Sequence, residues 1–433
     1  MSAILEDIES ELTENRQLRV LVVDEEIPYP LTSGKRIRTY NLLRHVAKRH
    51  AIKFLCHRNM EESERDEAKQ AFDDLGIETV FLERDLPIQT LLTPKLKLLF
   101  QLTRNYFSHY PFLVQKHVSK ELCDRISEFV DGDEIDLVHF EWTPYAAVAD
   151  EIGHKNFSKP WVIDAHNVES LIWKRYIENE NNPIKRMLIR HQWKKFDRFE
   201  KHAFQSASEM IFVSEPDSKI AANDYGCENR NVVDNGVDTE FFQPSSEYSR
   251  NPNELLFLGS LDWRPNVDGV QLLLEKILPE IVKHKPDVHL NIVGRKPADW
   301  LVDLIADSDH ATLHADVPDV RPFLQKCGML VVPLRIGGGS RLKILEALAC
   351  ETPVVSSRVG AEGLDVIPGK HFIAAEEDTM ASEVVKAIEN QDELKSTARE
   401  GREIVLNQYD WKVLSKRLEQ LWSSVVNGDQ VAN

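Results

Sequence analysis

The stretch Gly337-Gly338-Gly339-Ser340-Arg341-Leu342-Lys343 sets a glycine run directly before two cations. It follows residues 329–334, an apolar run that reads as a buried strand. A helix with apolar positions Leu342, Leu345, Leu348 and Ala349 is expected next, with Ser340 as its N-cap. That places Arg341 and Lys343 in the first turn, where the helix dipole disfavours cations. A bound anion reverses the balance, because the amides of Gly338 and Gly339 and both basic side chains then face it. The expected ligand is a phosphate or diphosphate, held without a metal. Glu346, one turn further on, can accept hydrogen bonds from sugar or ribose hydroxyls.

A second group of candidates lies in the first half of the chain. Pro30-Leu31-Thr32-Ser33-Gly34 follows a predicted strand, and Gly34 permits close backbone approach. Lys35, Arg36 and Arg38 make this connection basic. His166 ends another predicted strand, at the position where open α/β sheets face their ligands. Asp164 or Glu169 is expected to fix its tautomer. His139 and Glu141 close a further strand and, with Arg38, are acceptor-side candidates; a buried structural histidine is the competing reading.

Alternating strands and helices must hold these residues. Strands are expected at 18–24, 51–56, 79–82, 136–140, 161–164 and 209–213. The second half repeats the pattern at 255–258, 288–293, 311–314, 329–333, 353–356 and 371–374. Helical periodicity separates them, for example at 267–282, 320–326 and 379–388. The fold class is therefore α/β, with two Rossmann-like, doubly wound domains facing each other across a cleft. Asp234-Asn235-Gly236-Val237-Asp238 is turn-rich and suits a hinge between them.

Composition narrows the function. The chain has 433 residues, enough for two full cores, and carries 53 basic against 71 acidic residues for a net charge of −18. Such an acidic chain is a poor nucleic-acid binder. No apolar run reaches the roughly 18 residues needed to cross a bilayer. Residues 1–17 are acidic and lack the pattern of a signal peptide. The cysteines Cys56, Cys123, Cys227, Cys327 and Cys350 are scattered, without metal-ligand spacing, which fits a reducing cytoplasm. Two stretches, 91–120 and 171–202, mix Lys and Arg with Leu, Phe and Trp. The second holds nine basic against four acidic residues. Their alternatives are packed helices with solvated charges, or peripheral contact with the inner face of a membrane.

The blocks Val213-Ser214-Glu215, Asn235-Gly236-Val237-Asp238, Leu258-Gly259-Ser260, Ile292-Val293-Gly294 and Thr352-Pro353-Val354-Val355 occur in order around the glycine turn and Glu346. Together they resemble the group 1 glycosyltransferases, retaining enzymes of the GT-B fold that use nucleotide-diphosphate sugars. The resemblance runs from about Leu18 to Trp422. It implies an acidic N-terminal tail or helix at 1–17, an acceptor domain at 18–234 and a donor domain at 235–407. A C-terminal helix at 408–433 would pack back on the first domain. It implies donor contacts from Gly34, Gly259, Ser260, Arg264, Gly337, Gly338, Gly339 and Glu346, and from the backbone near Val317. His166, Arg341 and Lys343 would serve catalysis. Two departures stand out. Gly338 occupies the position of the family's first donor-site glutamate, and Arg264 or the Arg341–Lys343 pair must replace its usual diphosphate-binding cations.

The activity so implied is transfer of a sugar from a nucleotide-diphosphate sugar to a glycan or lipid-linked acceptor, with no metal or other cofactor. A nucleotide-sugar epimerase on the same scaffold is one alternative. A non-catalytic nucleotide- or glycan-binding protein is the other.

Overall fold

Runs of branched apolar residues, bounded by Gly, Pro or Asp, form the strands, as expected where both faces of a sheet are covered. The computed structural model describes residues 16–57, 62–82, 103–153, 157–336 and 341–428. Its contacts divide the chain into two units. The first runs to Asp234 and resumes at Ser415; the second spans Asn235–Leu414.

The first unit contains β1 (Arg19–Asp24), β2 (Ala51–His57), β3 (Glu78–Leu82), β4 (Leu137–Phe140), β5 (Trp161–Ala165), β6 (Glu209–Phe212) and β7 (Arg230–Val232). They form one parallel sheet in the order β3-β2-β1-β4-β5-β6-β7. The order reverses between β1 and β4, the switch point at which open sheets bind ligands. Val23 pairs with Phe140, and Phe140 with Ile163. The next residue of each strand, Asp24, Glu141 and Asp164, therefore lies in one row at the carboxyl ends. Helix α1 (Gly34–Val46) follows β1. Helices α2 (Glu169–Asn179) and α3 (Pro183–Ser206) pack as a hairpin after β5.

The second unit contains β8 (Asn251–Leu258), β9 (His289–Gly294), β10 (Ala311–Ala315), β11 (Cys327–Val332), β12 (Val354–Ser356) and β13 (Ile373–Ala374). Their order, β10-β9-β8-β11-β12-β13, reverses between β8 and β11. Helix α4 (Arg264–Leu272) follows β8, and α5 (Leu342–Ala349) follows β11. The last helix, α6 (Trp411–Asn427), begins in the second unit and from Ser415 onward belongs to the first.

The expected strands all form, with ends shifted by a few residues. β7 is additional: it is three partly exposed residues at a sheet edge, too short to give a periodic signal. The second unit continues beyond the expected 407 because Val237 pairs with Asp410, tying the chain after Tyr409 to the start of that unit. Residues 1–15 lie outside the described residues.

Candidate active site

The second unit gathers its candidates at the switch point. The buried, apolar side of α5 holds Ile344, Leu345, Ala347 and Leu348 against the core. This leaves Lys343 and Glu346 half-buried at its edge. Lys343 Nζ donates to Asn266 Oδ1 at 2.7 Å and lies 4.7 Å from the centre of the Phe257 ring. It occupies the space over Gly259: a Cβ there would come within 2.8 Å of Nζ and of Asn266 Nδ2. Glycine at 259 is thus a condition for seating the lysine. Burial, reinforced by Arg341, pulls Lys343 down to about 7, while Glu346 opposes the shift. Burial pushes Glu346 up to about 7, against the pull of Lys343. Arg341 is buried and donates to Glu362 O (3.3 Å) and Glu362 Oε2 (3.4 Å). This cationic pocket lies beside the start of a helix, so a bound anion would be favoured there.

The first unit presents a row of buried acids and a helix that answers it. On α1, Lys35, Arg38 and Thr39 share one face by the i, i+3, i+4 rule. Lys35 Nζ donates to Asp24 Oδ1. Arg38 donates to Asp164 Oδ2 through Nε (3.0 Å) and Nη2 (2.8 Å), and through Nη1 to Asp234 O (2.7 Å). Thr39 Oγ1 donates to Glu141 Oε2 at 2.9 Å. Burial still raises Asp24 to about 6, with Lys35 opposing and Glu141 adding to the shift.

Glu141 stands between two histidines. His166 Nε2 is 3.2 Å from Glu141 O and 3.3 Å from Glu141 Oε2. His139 Nε2 is 3.3 Å from Glu141 Oε1. Burial would push Glu141 up, but these two rings outweigh it and hold the carboxyl well below its ordinary range. The indole of Trp422, on α6, donates to His139 Nδ1 at 3.1 Å. An indole N–H can only donate, so His139 Nδ1 accepts and its proton sits on Nε2, facing Glu141. His166 Nε2 faces only acceptors, so it too carries a proton.

His139, Glu141 and Asp164 bring ligand atoms within 4.8 Å of one another, a grouping that invites a cation. The donor set does not fit one. His139 Nε2 carries the proton that Trp422 forces onto it, and Asp164 is neutralised by Arg38.

A carboxylate also fixes the backbone after His166. The N-cap of α2, Val168, offers no side-chain cap. Instead Glu200, from α3, accepts the amides of Glu169 (2.6 Å) and Ser170 (2.8 Å). It does so despite burial that pushes it up to about 8.

Comparison with known proteins gives the second unit a family. Residues 252–390 match the family described as glycosyl transferases group 1. The second unit thus carries the group 1 glycosyltransferase domain, and the two parallel sheets make the fold GT-B. It is similar to an uncharacterised glycosyltransferase of Methanocaldococcus jannaschii, 26% identical over 305 residues, covering 65% of this chain and 74% of the relative. It is also similar to the phosphatidyl-myo-inositol mannosyltransferase of Mycolicibacterium smegmatis. That match is 29% identical over 207 residues, 45% of this chain and 51% of the relative. Among solved structures it resembles Anabaena HepE in complex with UDP and glucose. There the TM-score is 0.63 at 14% identity, covering 94% of this chain and all (100%) of the other. The transferase names of these relatives do not favour the epimerase or non-catalytic readings.

Several expectations for the glycosyltransferase need correction. Helix α5 starts at Leu342 with Arg341 at its cap position and no side-chain cap, so Arg341 precedes the helix and only Lys343 is in its first turn. Gly337, Gly338, Gly339 and Ser340 lie outside the described residues. His166 takes its partner from Glu141, because Asp164 is paired with Arg38 and Glu169 accepts Trp142 Nε1 at 2.9 Å. Lys35, Arg36 and Arg38 do not form a basic loop. They lie on α1, which Gly34 begins after an N-cap at Ser33, and each is ion-paired: with Asp24, with Glu26 and Glu64, and with Asp164.

Other candidates stand where their elements put them. Ser260 donates to Asp262 Oδ1 (2.6 Å) and accepts from Arg295 Nε (3.1 Å). Arg264 is exposed at the first position of α4. The Val317 side chain packs on the core of the second unit. Asp24, Thr39, Trp422 and Glu200 were missed. Only the acid closing β1, in step with Glu141 and Asp164, left a signal in the sequence.

Proposed function

We propose that this glycosyltransferase moves a sugar, with retention of anomeric configuration, from a nucleotide-diphosphate sugar to a glycan or lipid-linked acceptor without a resident metal. The observation that carries the reading is Lys343, half-buried over Gly259 and drawn to about 7 by burial and Arg341. A buried lysine lacking a full counter-charge is poised for an anion. Lys343 and Arg341 supply the positive charge that a departing diphosphate needs. Glu346, raised to about 7, would share its carboxyl with ribose hydroxyls. The UDP and glucose held by the structurally similar HepE support a nucleotide-sugar donor, and the mannosyltransferase relative's name supports a lipid-linked acceptor.

In this reading the acceptor oxygen bonds to the anomeric carbon as the carbon–diphosphate bond breaks. The diphosphate keeps the electron pair and receives the acceptor proton. The acceptor-side groups are His166 and Glu141, which orients the ring through Nε2. Five free thiols, four of them buried, support a cytoplasmic setting.

Thermal-shift and calorimetric titrations with UDP, GDP, ADP and TDP, and their common sugars, test the donor half. One diphosphate should stabilise the protein selectively, and NMR of the product from that donor should show the donor's anomeric configuration retained. Failure of every diphosphate to bind the folded protein, or an inverted product, would sink the reading.

A further inference from the structure

Helix α3 is packed along its later turns and open at its start. Phe196, Phe199, Ala203 and Phe204 are buried, but at its start Ile184 is 67% and Met187 64% exposed, with Leu188 also open. Ile184, Met187 and Leu188 fall at i, i+3, i+4, so they form one apolar stripe. One turn on, His191 stacks on Tyr106 with ring centres 4.6 Å apart, and Tyr106 packs edge-on against Phe107, 89% exposed. Two segments far apart in sequence thus meet to extend a single exposed apolar strip.

The strip is ringed by cations. Arg104, Lys185, Arg186, Arg190 and Lys194 are all exposed. Of the nearby acids, Asp197 is half-buried and accepts from Tyr225 Oη, while Arg186 Nε donates to the carbonyl of Glu180. This local excess of positive charge sits in a chain of net charge −18. A solvated helix face would not need the apolar stripe. Apolar side chains amid lysines and arginines match a surface with negative headgroups over an acyl layer. Among the described residues no helix is long and apolar enough to cross a membrane, so the contact would lie along the surface.

We propose that the exposed start of α3, with Tyr106 and Phe107, is a docking surface for an anionic phospholipid bilayer. The glycosyltransferase then sits on the lipid, with Ile184, Met187, Leu188 and Phe107 entering the headgroup layer. The same helix carries Glu200, which caps α2 beside His166, so the docked element is also the one that anchors the first-unit site. This proposal does not depend on the donor or acceptor assignments.

Flotation of the full chain with phosphatidylcholine vesicles, with and without one third phosphatidylglycerol, tests it. The protein should float with the anionic vesicles at about 0.05 M salt and lose most of that binding at about 0.5 M, where exposed charges are screened. Charge reversal at Lys185 and Arg186 (K185E/R186E) should lower partitioning by at least about tenfold, since each cation near such a surface contributes roughly fivefold. Ile184→Glu with Met187→Glu should lower it similarly while leaving the melting temperature within a degree or two of wild type, because both side chains are exposed. Equal binding to neutral vesicles, no binding to either kind, or wild-type flotation of both double variants would overturn the proposal. So would a concentration-dependent dimer, seen by light scattering, that the Glu variants abolish without any change in flotation.

Discussion

At the scale of single residues, the proposed donor-side chemistry rests on a lysine whose charge is costly until a ligand arrives. Lys343 titrates near 7 because burial and Arg341 both disfavour its charged form. A diphosphate would supply the missing counter-charge and move the lysine back towards its ordinary range. Nucleotide binding should therefore take up a proton between about pH 7 and 9, above the last phosphate ionisation near 6. Calorimetry at pH 8 in buffers of different ionisation enthalpy should show uptake approaching one proton per nucleotide, and affinity should fall as pH rises through this window. Lys343→Met keeps the side-chain volume and removes the charge. It should abolish the uptake and cost about 10²-fold or more in turnover, a loss typical of removing one stabiliser of developing negative charge. Proton uptake unchanged in Lys343→Met would assign it to another group.

At the scale of elements, α1 and the sheet's carboxyl edge are designed for each other. Three consecutive strands end in acids at the same register, and one face of α1 returns Lys35, Arg38 and Thr39 to them. The Arg38–Asp164 pair is fully buried. Removing one partner leaves an uncompensated charge, so Asp164→Ala should destabilise the first unit by about 3–5 kcal/mol. Replacing both residues with apolar ones of similar volume should recover much of the loss; chemical denaturation of the single and double variants measures it. Much of this architecture was legible in the sequence. The strands announced themselves as apolar runs, whereas the lack of room for a Cβ at Gly259 and Gly294 shows only in the packing. The site was legible only in part. Lys343 and Glu346 share a helix, so spacing alone placed them together. The partner of His166 depended on which of three nearby acids was already taken, and that is decided by Arg38, many residues away. Trp422, which sets the tautomer of His139, lies further still, and no local pattern links an indole to a histidine across the chain.

At the scale of the whole molecule, α6 returns the chain to the first unit and its candidate site. Its turns from Ser415 onward bring Trp422 to His139 and Glu419 to Arg49 and His50. Leu18 N donates to His50 Nδ1, so the proton on Nε2 faces Glu419, and Arg49 adds a bidentate contact. Burial would raise the Glu419 carboxyl, yet His50 and Arg49 outweigh it and hold it at about 2. The ordinary value is 4.5, so the folded value is the lower one. The stabilisation is then fully present above 4.5 and drains away as pH falls towards about 2. A shift of this size corresponds to about 3 kcal/mol. Glu419→Gln should therefore loosen α6 strongly at pH 6, and the difference from wild type should shrink to roughly half or less by pH 3. Hydrogen exchange of residues 415–427, followed by mass spectrometry, reads this locally. If the variant and wild type exchange alike at pH 6, the ion pair does not hold the helix. If they differ equally at both pH values, the loss is one of packing, and α6 is held to the first unit by Trp422 and its apolar neighbours instead.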